Sequence, residues 1–459
     1  MTTNRLSRTT KLAYGAGDLG AAISSAINGF FLLNFLINVA GLRPGAAGSI
    51  FLIVKLWDAV NDPIVGWLTD RTVSRFGRRR PWLLFAAIPF GLAFFLEWIV
   101  PPLSESGLFA YYLVVAILLD FAFTAVNVPY AALTAELTQD YDERTRLSSV
   151  RLSFSIVGGV LAAFFHGIIV SFFPQDPKLG YTISAAIWAL FITGPCFITF
   201  FGTKEPEFAI NAKPAEKGPG FLEGLRIALS NKAFILVTLI YMLSWLAIQF
   251  AQNNLQIYTK DWIRLDMQLF SFLLLAIQFS SFVWILIWAK VSERIGKHNV
   301  YYLGTVFFVV ALMGLFFLQP GQVTETFLLA AMAGIGISVG YLVPWSMVPD
   351  VVELDELQTG RRREGVFYGF FVFLQKMGLA LGLFVSGWAL DLTGYINATP
   401  GQPDPVQPAS ALLAMRVLIG PVSAVILLLS FLAVRAYPIT RAKHAEIRAE
   451  LAKRHMPGG

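Results

Sequence analysis

Within the stretch KLWDAVNDP, Lys55, Asp58 and Asp62 follow at spacings of three and four residues, so on a helix all three share one face. Two carboxylates so placed repel unless a cation or a proton intervenes. With one ammonium beside them, the pair suits reversible binding of Na⁺ or H⁺. Asn61 is a further candidate ligand beside Asp62, and Pro63 frees the carbonyl of Ala59 as another hard oxygen. A second pattern runs through Asp120, Thr124, Asn127 and Ala131 at i, i+4, i+7 and i+11, next to Pro129. This polar stripe either lines a cavity or bonds neighbouring helices. Asp18, Arg151 and Lys376 are single charges in apolar surroundings, an invitation to an interhelical network. Tyr341 and Trp345 lie one turn apart, where they stack on a sugar ring, contact an acyl chain or simply pack.

The elements that carry these residues are membrane helices. The chain of 459 residues is 56% hydrophobic and 14% charged, against roughly 25% charged in soluble domains, so water is not its main solvent. Apolar stretches of about 20 residues recur along it, each long enough to cross about 30 Å of hydrocarbon. About twelve are expected, near 15–39, 45–69, 81–101, 107–137, 148–173, 180–202, 232–257, 267–290, 299–318, 326–349, 366–390 and 409–435. Runs such as Phe307 to Leu318 are continuously apolar, which excludes the short alternating strands of a barrel.

The net charge of +6 reflects topology, not nucleic acid: most Lys and Arg fall in alternate loops, which places both termini in the cytoplasm. The first apolar stretch is too long for a signal-peptide core and reads as a retained helix. Cys196, the only cysteine, sits in an apolar stretch and packs there; no cofactor is expected. There is no HExxH, GxSxG or P-loop, which argues against an enzyme and against ATP-driven transport. A channel would build its filter by oligomer symmetry, whereas these charges form a network within one chain, expected to function as a monomer.

The chain also repeats. A polar segment with Pro206, Pro214, Gly218, Pro219 and Gly220 separates six stretches from six, giving an N-terminal half (1–203), a cytoplasmic linker (204–231), a C-terminal half (232–435) and a cytoplasmic tail (436–459). The loop with Asp70, Arg71, Arg75-Phe76-Gly77-Arg78 has a counterpart in Glu293-Arg294-Ile295-Gly296-Lys297. Asp70, Arg71, Arg78 and Arg294 are therefore candidates to gate by pairing across helix ends, or else they record topology alone.

With these features the chain resembles the major facilitator superfamily: an all-α membrane protein of twelve helices in two pseudo-symmetric six-helix halves, with solute bound between them. Within it, YGAGDLG and WDAVNDPIVGW resemble the glycoside-pentoside-hexuronide:cation symporters. That resemblance implies a cation site of Asp58, Asp62 and Thr124 with Lys55 beside it. It also implies solute contacts from Asp18 and Arg151, with Lys376 near both sites. The sequence departs from the family's galactoside carriers at Asn127, where they have an acid, and at Ala131, where they have a Trp. The segment PWSMVPDVVELDE, followed by Lys376, is similar to sodium-dependent lysophosphatidylcholine transporters of the same wider group. The implied activity is cation:solute symport of a sugar or glycoside in a plasma or bacterial inner membrane, or else of a lysophospholipid.

Overall fold

A computed structural model describes residues 6–138, 140–206, 221–360, 363–398 and 404–455. Among them, eleven helices are long and apolar enough to cross a membrane: Arg8–Asn38, Arg80–Glu97, Glu105–Thr134, Arg146–Ser171, Pro177–Gly202, Lys232–Ile263, Met267–Ile295, Lys297–Phe317, Val323–Thr359, Glu364–Leu392 and Ala409–Ala436. The twelfth is Pro44–Arg71, whose 28 residues reach about 42 Å at 1.5 Å per residue. Its middle carries Lys55, Asp58 and Asp62, so composition alone passes over the span that holds the most chemistry. The twelve helices are called spans one to twelve below, in chain order. Much of the expected linker (207–220) lies outside the described residues, as do 456–459 of the tail.

Local sequence sets many of the span boundaries. Pro44 and Pro177 occupy first turns, where a missing N–H costs nothing. Ser104, Asp140, Asp176 and Asn231 cap the helices that carry spans four to seven, Asp140 starting the helix Tyr141–Ser171 that contains span five, and each accepts from the N–H three residues on. Span one is interrupted at Gly17–Asp18, between helices Arg8–Ala16 and Leu19–Ile27, and then makes a π-helical turn over Asn28–Leu32. Two helices outside the spans were not anticipated: Phe221–Ser230 in the linker and Arg441–His455 in the tail.

The contacts divide the chain into two compact units. One comprises Met1–Glu216 with Asp266–Phe272 and Gly387–Pro408; the other comprises Lys217–Leu265, Leu273–Ser386 and Ala409–Gly459. In the first unit, span three packs on spans four and six, span two on four, and span one on five and six. In the second, span nine packs on ten and twelve, and span seven on ten and twelve. The three-on-four, three-on-six and one-on-six packings thus recur six spans later, the structural form of the sequence repeat. Glycines allow the closest approaches: a Cβ on Gly17 would meet the Tyr130 ring at 2.5 Å, and one on Gly91 would meet Thr193 Oγ1 at 2.0 Å.

The loop between spans two and three closes on one carboxylate. Glu205, just past span six, accepts from the backbone N–H groups of Arg78 (2.6 Å), Arg79 (2.7 Å) and Arg80 (2.9 Å). These are donors the start of span three cannot satisfy within its own helix, and they favour a negative charge. Gly77 leads into this cradle with φ of +102°, and a Cβ there would lie 2.5 Å from Glu205 Cδ. Gly77→Ala is therefore expected to destabilise the protein by about 1–2 kcal/mol from the backbone alone, and further through the clash. A thermal melt in detergent measures this, and an unchanged midpoint would show that the loop adapts without cost.

Lys11 and Glu143 tie span one to the start of the fifth helix, with Lys11 Nζ 2.7 Å from the carboxylate. The hydrogen bond from Lys11, together with Arg146, holds the Glu143 carboxyl below its ordinary range. Its folded value is depressed, so this contribution to stability is complete above the unfolded glutamate value of about 4.3 and is lost as pH falls through the folded value. Glu143→Gln is expected to flatten the acid limb of a stability–pH curve; an unchanged limb would remove Glu143 from it.

Candidate functional site

The charged face of span two meets span four. Lys55 Nζ lies 3.0 Å from Asp120 Oδ1 and 3.3 Å from Asp58 Oδ2. Asn61 Nδ2 points at the same Asp120, 3.4 Å from Oδ2. One turn along, Thr124 donates to Asp62 Oδ1 at 3.1 Å. Asp58, Asn61 and Thr124 are each only 1% exposed and Asp120 7%, whereas Lys55 and Asp62 are half-buried. Asp58 and Asp120 thus share one ammonium, and Asp62 lies one turn along on the Thr124 hydroxyl. Carboxylates held this close at low dielectric favour uptake of a cation or a proton.

The polar stripe of span four takes part in two ways. Asp120 and Thr124 bond the charged face of span two, so Asp120 stands in the carboxylate cluster and not apart from it with the solute candidates. Asn127 is half-buried, and its Oδ1 has no hydrogen-bond partner among the described residues. Such an atom is available to an incoming hydroxyl. Among the described residues no three His, Cys, Asp or Glu gather closely enough to hold a metal ion. A cation on Asp58 and Asp62 would therefore complete its shell with neutral oxygens, for which Thr124 Oγ1 and the carbonyl freed by Pro63 are the candidates.

A second ion pair lies at the interruption of span one. Arg151 Nε is 3.0 Å from Asp18 Oδ1, and the guanidinium sits 5.1 Å over the Tyr130 ring. Tyr130 in turn stacks on Tyr14 at 5.0 Å and donates to the Tyr14 carbonyl at 2.8 Å. The Tyr14 hydroxyl bonds Thr134. Asp18 is 6% exposed and caps no helix with its side chain, so it serves the pair and not the helix start. Carboxylate, guanidinium and phenol side by side are groups that hold hydroxyls.

The second unit contributes aromatic surface. Trp345 donates from Nε1 to the Tyr241 hydroxyl at 3.1 Å and packs edge-on against Phe371 at 5.3 Å, while Tyr341 meets Trp245 edge-to-face at 5.0 Å. Tyr341 and Trp345 remain 39% and 37% exposed, unusual for rings with so many aromatic neighbours. Lys376 is half-buried in span eleven of this unit.

The gating candidates separate. Asp70 pairs with Arg79 at 2.6 Å, and Arg79 and Arg78 share Glu136 at 2.9 and 2.8 Å. Arg71 leaves this group and lies over the Trp67 ring at 4.0 Å. In the repeated loop the charge that pairs is Lys297, 2.5 Å from Asp350; Arg294 is exposed. Sequence reasoning missed Arg79, Glu136 and Glu205, and it read Lys297 as part of the repeated loop without a gating role, although their signal was present as charges at helix ends. It also passed over Glu97, an acid within the apolar run FGLAFFLEWIV.

The family described as MFS/sugar transport protein matches residues 13–441. The chain belongs to that family. It is thus an integral membrane transporter with the major facilitator fold, and not an enzyme. An uncharacterized symporter of Synechocystis, sll1374, is 39% identical over 99% of this chain and 98% of its own length. The sodium-dependent lysophosphatidylcholine symporter 1-A of Danio rerio is 30% identical over 94% of this chain and 85% of its own. Among solved structures, the nucleoside transporter NupG superposes with a TM-score of 0.66 at 14% identity, covering 94% of this chain and all of that one. A bacterial homologue of the lysosomal transporter Spinster gives 0.67 at 15%, covering 94% and 96%. At such identities these two bear on the fold alone.

Proposed function

We propose that this transporter is a cation:solute symporter in which Asp58 and Asp62, with Thr124 and the Ala59 carbonyl, bind the coupling cation. The carrying observation is the cluster in which Asp58 and Asp120 share the Lys55 ammonium, one turn from Asp62 on the Thr124 hydroxyl. Lys55 occupies Asp58 in the absence of the cation. A Na⁺ ion or a proton arriving there competes for that carboxylate and turns Lys55 towards Asp120. The sodium-dependent relatives favour Na⁺.

The solute is a sugar or glycoside; in the first unit Asp18, Arg151 and Asn127 offer partners to its hydroxyls, and in the second Tyr341 and Trp345 offer rings to stack on and Lys376 a charge. Cation binding orders the solute site, and empty or doubly loaded carriers reorient by alternating access. The protein works as a monomer in a plasma or bacterial inner membrane, both termini cytoplasmic, with Asp70, Arg78 and Arg79 closing the cytoplasmic end. A second reading, transport of a lysophospholipid, is favoured by the Danio rerio relative.

Binding of a sugar panel and a lysophospholipid panel to the purified protein, with and without Na⁺ and at two pH values, separates the readings. Cation-linked sugar binding supports the first; cation-linked lysolipid binding without a sugar response replaces it by the second. Absence of any cation linkage overturns symport altogether. Asp18→Ala and Arg151→Ala are each expected to weaken solute binding about 10-fold or more, as loss of a charged hydrogen-bond partner does, with cation binding less affected. An unchanged solute affinity removes that residue from the site.

A further inference from the structure

Glu97 ends span three, and its carboxyl is 3% exposed. Among the described residues no Lys, Arg or His comes within ion-pair distance of it. Its hydrogen-bond partner is Asn28, whose Nδ2 lies 2.7 Å from Glu97 Oε2. The other end of that amide, Asn28 Oδ1, is buried and unpartnered. Asn28 also opens the π-helical turn of span one, a local irregularity frequent at functional positions.

The surroundings of the pair are mostly neutral. From span two, Lys55 acts on Glu97 through space while its ammonium is engaged by Asp58 and Asp120. From span four, Tyr112 faces it but donates to the Ile99 carbonyl, and Tyr111 donates to Leu96. The adjacent Trp98 packs on Tyr181 of span six and His166 of span five. An ionised carboxylate here would be desolvated with one neutral donor and no counter-ion, which is strongly unfavourable. A protonated carboxyl gains a donor, which is what the orphaned Asn28 Oδ1 lacks.

We propose that Glu97 and Asn28 form a proton-binding site separate from the Asp58–Asp62 pair, occupied at neutral pH. Losing the proton places a further negative charge near Lys55 and draws the ammonium away from Asp58 and Asp120. The state of Glu97 thus sets how firmly Lys55 competes with the coupling cation.

The test needs no solute. Infrared spectra of the purified protein at neutral pH should contain a buried carboxylic-acid C=O band, slow to exchange in D₂O, that is absent from Glu97→Gln. Asn28→Leu, which removes the partner, should shift that band without abolishing it. On raising the pH, the wild-type protein should lose the band and melt at a lower temperature, whereas Glu97→Gln should hold its melting temperature over the same range. A wild-type spectrum without the band, or a Glu97→Gln spectrum that retains it, overturns the proposal. So does an identical alkaline fall in melting temperature for both proteins. Glu97→Gln is isosteric and supplies the donor that Asn28 Oδ1 requires, so a variant that fails to fold would also contradict a protonated glutamate.

Discussion

Asp62→Asn is expected to abolish cation-driven accumulation of solute while leaving solute binding, and Asp58→Asn is expected to do the same with an added loss of stability. An amide keeps the shape of the carboxylate but removes the charge that a cation needs. Losing a charged partner at a buried site costs about 1.5–3 kcal/mol, or roughly 10- to 150-fold in cation affinity. The two variants differ because their neighbours differ. Asp62 is bonded by the neutral Thr124, so its change leaves the Lys55 pair in place. Asp58 also holds Lys55, so its loss weakens an ion pair as well. Uptake into proteoliposomes with and without an imposed cation gradient measures the first effect, and a thermal melt measures the second. Normal gradient-dependent accumulation by both variants would remove the pair from coupling.

A membrane chain exposes its architecture and its functional charges in its sequence. In hydrocarbon every backbone group must be satisfied within a helix, so span length and apolar composition alone delimit the elements. The same rule makes an intramembrane charge conspicuous, and Lys55, Asp58, Asp62, Asp18 and Arg151 could be picked out one by one. Helical spacing placed the first three on one face. It could not say which partner each would take, because that depends on how span two is rotated against span four. Lys55 thus turned out to bridge Asp58 and Asp120, and Asp62 turned to Thr124.

The charges at the helix ends were harder to read. Water and lipid headgroups tolerate them there, so their presence carries little information and loop geometry chooses among neighbours. Three consecutive arginines, Arg78, Arg79 and Arg80, have nearly equal claims on sequence grounds. The fold gives Arg79 to Asp70 and Glu136, and it directs Arg80 to the carbonyl of Phe200 at 2.6 Å. Glu205 does most to fix that choice, because by collecting three successive backbone donors it sets the direction in which each arginine leaves the chain.

Lys55→Met is expected to produce the largest loss of stability of any single change in the first unit. Methionine fills much of the volume of the lysine stem, so packing is largely retained and the effect reports the charge. Asp58 and Asp120 would then lie buried without their ammonium, and removing one partner of a buried ion pair typically costs about 3–5 kcal/mol. Two results distinguish this electrostatic account from a packing defect. The double change Lys55→Met with Asp120→Asn should recover part of the loss, since it removes one of the stranded charges. Sodium should raise the melting temperature of Lys55→Met more than that of the wild-type protein, because a bound cation takes the place of the ammonium beside Asp58. If Lys55→Met melts like the wild-type protein, or if neither sodium nor the second substitution restores it, the ammonium does not hold the carboxylates together. The competition between Lys55 and the coupling cation, on which the proposed cycle turns, would then have no basis.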